Sequence, residues 1–180
     1  QEAILLCGMD VAAGMGYLHH LEIVHADLKP ANILLMSAPK TPEDPRGFIC
    51  KIADFGMARL LATGTTHTVT DSLGSLAYVA PEVLQRGEVT KAADVYSFAM
   101  LLLEMWGSSE SYAANNHQGV SHPADPPRIS FCGGRPRVPE DAPAEYRQLL
   151  HDCWAERPAQ RPTFEAAHAN LTLMLAAARA

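Results

Sequence analysis

The chain has 180 residues, 48% of them apolar, and a formal net charge of −6. That fits one globular domain with a sizeable core and argues against disorder and against binding a nucleic-acid phosphate backbone. No apolar run approaches the ~18 residues that a membrane-spanning helix needs, and the first residues lack a signal-peptide pattern.

The chain opens on an apolar stripe, Ile4, Cys7, Val11, Met15 and Leu18, at helical spacing over residues 3–18. Gly8, Gly14 and Gly16 weaken that helix by up to ~1 kcal/mol each relative to alanine, so tertiary packing must hold it. Short β-like runs follow at 23–25 and 33–35. Residues 36–48 carry Pro39, Pro42 and Pro45 among mixed charges and read as a hairpin-like surface insertion. Ile49 to Ala53 alternates as a strand that delivers Asp54.

Residues 57–73 are rich in hydroxyl side chains (Thr63, Thr65, Thr66, Thr68, Thr70, Ser72) and read as a polar, weakly self-ordering loop. Thr90 is placed to cap the next helix, which runs to about Trp106. From Val95 to Met105 that helix is apolar on nearly every side, the pattern of a helix buried all round. Residues 107–140 show no periodicity. Tyr146, Leu149, Leu150, Cys153 and Trp154 make one further helical face, and Phe164, His168, Leu171 and Leu175 make the last.

Chemistry concentrates between residues 25 and 56. His25-Ala26-Asp27-Leu28-Lys29-Pro30-Ala31-Asn32 is followed by Asp54-Phe55-Gly56 at the end of a strand. A carboxylate, an ammonium and an amide at offsets of two and five suit a site that accepts a hydroxyl proton, neutralises phosphate charge and offers oxygen ligands to Mg²⁺. Each residue alone has a plainer reading: Asp27 and Asp54 as turn residues, Leu34 as strand core.

Together the motifs resemble the catalytic loop and Asp-Phe-Gly motif of eukaryotic protein kinases. Gly74 to Tyr78 resembles the family's substrate-facing loop, Ala80-Pro81-Glu82 the end of its activation segment, and Asp94 to Phe98 the start of its central helix. Cys153-Trp154 and Arg161-Pro162-Thr163-Phe164 resemble the closing helices. The resemblance runs from about residue 2 to about residue 175, and its flavour is that of tyrosine-kinase-like serine/threonine kinases.

The resemblance implies an α+β, protein-kinase-like fold: a mainly helical C-terminal lobe with short β-hairpins around the catalytic loop. It implies ATP- and Mg²⁺-dependent transfer of a phosphoryl group to Ser or Thr of protein substrates. Asp27 is then the group that positions the acceptor hydroxyl and takes its proton, and Lys29 stabilises transferred charge. Asn32 and Asp54 are the Mg²⁺ ligands, and Leu34 is the floor under the adenine ring. Ser75 is the hydroxyl of the substrate loop. His25, Phe55, Gly56 and Asp94 are scaffold, with Phe55 read as core, and Glu82 and Arg161 are a buried structural pair. Lys29, where tyrosine kinases generally carry Ala-Ala-Arg or Arg-Ala-Ala, points to Ser/Thr acceptors.

Two departures stand out. Ala26 replaces the usual arginine, so a phosphate on the activation segment finds no cation there. No Gly-x-Gly-x-x-Gly and no lysine-bearing strand precedes the catalytic loop. Residues 1–180 are therefore expected to be the C-terminal lobe of a kinase domain whose small N-terminal lobe is missing, and to show little activity alone. The rival readings are a pseudokinase or binding scaffold, and an inactive truncated piece; the retained Asp27, Asn32 and Asp54 speak against the first. A cytoplasmic setting is expected, with membrane attachment of the parent left open.

Cys7, Cys50, Cys132 and Cys153 show no Cys-x-x-Cys spacing. Four buried thiols in a reducing compartment are expected rather than disulfides or zinc. His117, His122, His151 and the His19-His20 pair have no ligand spacing with cysteine and read as surface or packing residues.

Overall fold

The computed structural model describes residues 1–55, 58–60, 75–107 and 135–180, with only the backbone of Arg59, Leu60, Ser75 and Leu76. The expectations placed on Gly56, Gly74, the hydroxyl run Thr63 to Ser72, His117, His122 and Cys132 lie outside the described residues.

Helix α1 (Glu2–His20) is the wall against which the rest of the amino-terminal half is built. It packs on the carboxy-terminal helix α5 (Phe164–Arg179) and on strand β3 (Phe48–Ile52). Two of its glycines explain themselves by close approach. A Cβ at Gly8 would sit 3.0 Å from Leu102 and 3.1 Å from Leu171, and one at Gly14 would sit 2.9 Å from Ile52 Cδ1. The helix gives up local propensity so that its neighbours can close in.

Two short antiparallel pairs flank the loop between them. Strand β1 (Ile23–Val24) pairs with β4 (Arg59–Leu60), Ile23 opposite Leu60. Strand β2 (Ile33–Ser37) pairs with β3, Ile33 opposite Ile52 and Ser37 opposite Phe48. The ladder corrects the insertion expected over residues 36–48. Met36, Ser37 and Phe48 belong to the strands, and the turn shrinks to residues 38–47, closed by Ala38 N–H on Gly47 O at 3.0 Å. Gly47 sits at φ +80°, a conformation that favours glycine.

Helix α2 (Pro81–Arg86) shows the usual asymmetry of proline at its start and glycine at its end, where Gly87 at φ +68° terminates it. Helix α3 (Lys91–Gly107) is buried along most of its length, from Ala93 to Leu103, and is the central pillar. Thr90 Oγ1 accepts the Ala93 N–H at 3.3 Å, the cap its sequence suggested. Helix α4 (Ala144–Cys153) packs on α3 through Tyr146, whose hydroxyl donates to Leu102 O at 2.9 Å. Helix α5 is capped by Thr163, which accepts from Ala166 N–H. The core joins Leu5, Met15, Phe98, Leu102, Tyr146 and Phe164 across these helices.

One interaction ties the ends of this core together. Arg161 donates to both carboxylate oxygens of Glu82, at 2.5 and 3.0 Å, and also to the carbonyls of Ala92 and Ala155, each at 2.9 Å. Its guanidinium lies 5.2 Å from the centre of the Tyr96 ring. Both side chains are buried, so the pair is shielded from solvent. No helix among the described residues is long and apolar enough to cross a membrane.

Candidate active site

The site is assembled on the backbone between β1 and β2 and on the residue that follows β3. The chain leaves β1 in an unusual conformation: Ala26 sits at φ +67°, which costs a non-glycine residue about 1–2 kcal/mol. The Asp94 carboxylate, in the first turn of α3, holds it there. Asp94 accepts the His25 N–H at 2.8 Å and the Ala26 N–H at 2.9 Å, and a third bond joins it to His19 Nε2 at 2.9 Å. Of the histidines expected at the surface or in packing, His19 is a packing one: it is buried, lies edge-on to Phe164 with ring centres 4.9 Å apart, and is a polar partner of Asp94. The pairing spans seventy-five positions, so no local pattern signals it.

His25 completes the scaffold. Its Nε2 lies 3.0 Å from Ala53 O, and its Nδ1 accepts the Asp27 N–H at 3.3 Å. A single tautomer, protonated on Nε2, satisfies both bonds. The fully buried imidazole therefore joins the loop bearing Asp27 to the strand end bearing Asp54.

Three expected residues converge. Asp27 Oδ2 is 2.7 Å from Lys29 Nζ and 3.0 Å from Asn32 Nδ2, and the same amide nitrogen donates to Asp27 O at 2.7 Å. The 3-10 turn Pro30–Asn32 makes this possible, because it curls the chain so that an offset of five returns Asn32 to Asp27. Asn32 is buried, whereas Asp27 and Lys29 keep about a fifth of their side-chain surface open (22% each).

Asp54 arrives from the other side. Asn32 O accepts the Ala53 N–H at 2.9 Å, extending the β2–β3 ladder by one step and bringing Asp54 one residue past that bond. Asp54 itself adopts φ +60° and is exposed. With its amide nitrogen committed to Asp27, Asn32 has its carbonyl Oδ1 as the donor for a hard cation. One such oxygen and one carboxylate suit Mg²⁺, which takes few protein ligands and completes its shell with phosphate and water oxygens. Among the described residues no cluster of three or more His, Cys, Asp or Glu side chains offers a self-sufficient metal cage.

One expectation needs correction. Phe55 is not core. It packs on His25, ring centres 5.6 Å apart, but half of its surface (50%) is exposed. For Leu34 the plainer reading as strand core falls, since it is 57% exposed beside the similarly open Leu35 and Met36. Among the described residues strand β2 pairs with β3 alone. Leu34, Leu35 and Met36 thus form an exposed apolar run on β2, and Phe55, also half exposed, directly follows Asp54.

The loop after the hydroxyl-rich run is described from Ser75 onward. Residues Ser75–Tyr78 form a 3-10 turn, and Ser97 Oγ, 2.7 Å from Tyr78 O, pins that turn to α3. The Ser75 side chain lies outside the described atoms.

Comparison with known proteins identifies the family. The family model described as protein tyrosine and serine/threonine kinase matches residues 1–171. A probable serine/threonine-protein kinase of Dictyostelium discoideum is 36% identical over 90% of this chain and 11% of its own length. A dual specificity protein kinase of the same organism is 34% identical over 89% of this chain and 7% of its own length. A putative serine/threonine-protein kinase/receptor of Acanthamoeba polyphaga mimivirus is 37% identical over 84% of this chain and 8% of its own length. The chain thus spans about a tenth of each of these relatives.

Proposed function

The chain belongs to the protein tyrosine and serine/threonine kinase family, and from that premise we propose that it forms the catalytic lobe of a Mg²⁺- and ATP-dependent protein kinase acting on Ser and Thr hydroxyls. The observation that carries the reading is the convergence of Lys29 and Asn32 on one oxygen of Asp27, with Asp54 presented alongside.

In this reading Asp27 positions the acceptor hydroxyl and takes its proton. Its Oδ2 is oriented by the Asn32 amide, and the backbone beneath it is fixed by His25 and Asp94, so little reorganisation is needed at the moment of transfer. Lys29 keeps a cation within reach of the same oxygen and offsets the negative charge that gathers on the transferred group. Asn32 Oδ1 and the Asp54 carboxylate would hold Mg²⁺. When bound, Mg²⁺–ATP supplies the phosphoryl group and the cationic charge that neutralises its oxygens.

Leu34 and Phe55 support an apolar seat for the adenine end of the nucleotide, since both are large apolar side chains at least half exposed. A phosphate-covering N-terminal lobe is the partner this exposed apolar surface calls for. Lys29-Pro30-Ala31 and the hydroxyl of Ser75 favour Ser/Thr acceptors over Tyr.

The test is a pair of variants in the intact protein with a Ser/Thr peptide and Mg²⁺–ATP. Asp27→Asn should lower turnover by about 10²-fold or more, the scale of a positioned general base, with nucleotide affinity retained. Asp54→Asn should weaken Mg²⁺-dependent nucleotide binding itself. Turnover by Asp27→Asn at the parent rate would overturn the assignment.

A further inference from the structure

The turn between β2 and β3 takes no part in the active site. Asn32 and Ala53 bond at one end of that ladder and the turn closes the other, a five-residue strand or about 17 Å away. Its sequence, Pro39-Lys40-Thr41-Pro42-Glu43-Asp44-Pro45, sets one hydroxyl among three prolines. Thr41-Pro42 is the one Ser-Pro or Thr-Pro step in the 180 residues. Residues 39–43 are all exposed.

A small lock presents the hydroxyl. Thr41 N–H donates to Asp44 O at 2.9 Å, and Asp44 N–H returns to Thr41 O at 3.2 Å. Thr41 Oγ1 accepts that same Asp44 N–H at 3.0 Å. Among the described residues nothing accepts the Thr41 hydroxyl proton. The chain beyond is tethered, because Arg46 holds the Asp44 carboxylate and Arg179, in the last turn of α5, donates to Glu43 O.

We propose that Thr41 is a phosphorylation site for a proline-directed Ser/Thr kinase, a separate enzyme with apolar pockets for Pro39, two residues before the acceptor, and Pro42, one residue after it.

The flanking residues supply what such an enzyme reads. An acceptor laid across a kinase has to be extended. Pro42 biases Thr41 to extended backbone and Pro39 fixes its own φ, so less chain entropy is lost on binding. Pro42 also lacks an N–H, which disfavours any enzyme that bonds the backbone at that position. Both rings are exposed and apolar, so an enzyme gains by burying them. The length of the ladder keeps Asp27 of the same chain away from Thr41, so the phosphate donor must be bound to another molecule.

The step uses Mg²⁺–ATP as co-substrate. A bond forms between Thr41 Oγ1 and the γ-phosphorus, and the bond from that phosphorus to the β,γ-bridging oxygen breaks. ADP leaves, and the hydroxyl proton passes to the base of the attacking kinase.

Magnitude separates an exposed site from one reached only by unfolding. Laying Thr41 out releases the two N–H groups of the lock. At no more than about tenfold for each, the native protein should react within about 100-fold of a free peptide. A site hidden in the fold would be slower by the folded-to-unfolded ratio, roughly 10³–10⁸.

The experiment incubates the intact protein with Mg²⁺–ATP and an active mitogen-activated protein kinase as the proline-directed probe, followed by peptide mass mapping. A reaction without the added kinase sets the background. The expected product carries one phosphate, on Thr41, formed within about 100-fold of the rate for a free peptide spanning residues 37–48. Thr41→Val should abolish incorporation, Pro42→Ala should remove most of it, and Pro39→Ala should lower it with Thr41 still the acceptor. All three positions are exposed, so these variants should fold as the parent does. Incorporation into Pro42→Ala equal to the parent's, phosphate at another residue in place of Thr41, a rate slower than that bound, or no reaction of protein and peptide alike would overturn the proposal.

Discussion

The Asp94 carboxylate holds the Ala26 amide at 2.9 Å while Ala26 itself sits at φ +67°, so a buried charge in one helix maintains a backbone conformation that alanine disfavours. Removing the carboxylate therefore does two things. It orphans the N–H groups of His25 and Ala26, each worth about 1–3 kcal/mol when buried and unpaired, and it releases the strained residue that precedes Asp27. Asp94→Ala should destabilise the fold by about 3 kcal/mol or more in urea unfolding. In the intact protein it should cut turnover beyond what lost stability explains, measured well below the unfolding transition. Ala26→Gly, which accepts positive φ freely, should be neutral or stabilising by up to ~1 kcal/mol.

Glu82 and Arg161 make the complementary case, a buried pair whose value lies in not being broken. Arg161→Ala leaves a carboxylate alone in the core and should cost about 3–5 kcal/mol. Arg161→Lys should recover little, because one ammonium cannot serve two carboxylate oxygens and the carbonyls of Ala92 and Ala155 together. The double variant Glu82→Gln with Arg161→Met should be more stable than Arg161→Ala, since no charge is then stranded. Equilibrium unfolding of the four proteins decides this, and equal losses for the single and double variants would contradict it.

What the sequence discloses and what it hides divide along chain distance. Asp27, Lys29 and Asn32 lie within one turn and a loop, so their spacing is enough to read them as a unit, and the all-round apolar run of α3 states its own burial. Thr90 and Thr163 cap helices because N-cap chemistry is local. By contrast, the His19–Asp94 bond, the bond from the Cys50 N–H to Asp10 and the closeness of Gly8 to Leu102 and Leu171 join residues from separate elements. No periodicity carries that information. The exposure of Phe55 is hidden for a related reason: an apolar residue beside a buried histidine reads as core unless one knows how little of it is covered.

Acid stability offers a check on a pair in the turn between β2 and β3, where Arg46 donates to both carboxylate oxygens of Asp44 at 2.8 and 2.7 Å. Arg46 holds the Asp44 carboxyl down at about 2, from an ordinary 3.8, mainly through side-chain hydrogen bonds. A depressed folded-state value adds stability that is fully present above the unfolded value and is lost as pH falls through the folded one. Asp44 should thus contribute above about pH 4 and cease to contribute near pH 2. Asp44 is partly exposed, so the contribution is that of a screened pair and small. In Asp44→Asn the urea midpoint should fall less steeply than in the parent between those two pH values. Parallel curves would show that the Asp44–Arg46 bonds do not persist in solution.

The glycines of α1 allow a sharper test of packing against propensity. Gly8→Ala and Gly14→Ala gain the same ~1 kcal/mol of helix propensity, because both sit in the interior of one helix with ordinary helical backbone. Their surroundings differ. The new methyl at position 14 meets only Ile52, whose terminal Cδ1 at 2.9 Å is the free end of a partly buried side chain and can turn aside. At position 8 it meets Leu102 at 3.0 Å and Leu171 at 3.1 Å, two fully buried residues from different helices. Neither leucine can move without disturbing the core around Phe98 and Phe164, and overpacking of this kind costs about 1–3 kcal/mol. Gly14→Ala should therefore raise the unfolding midpoint and Gly8→Ala should lower it, although local propensity favours both equally. Shifts of the same sign in the two variants would mean that propensity, not the close approach of α3 and α5, governs this helix.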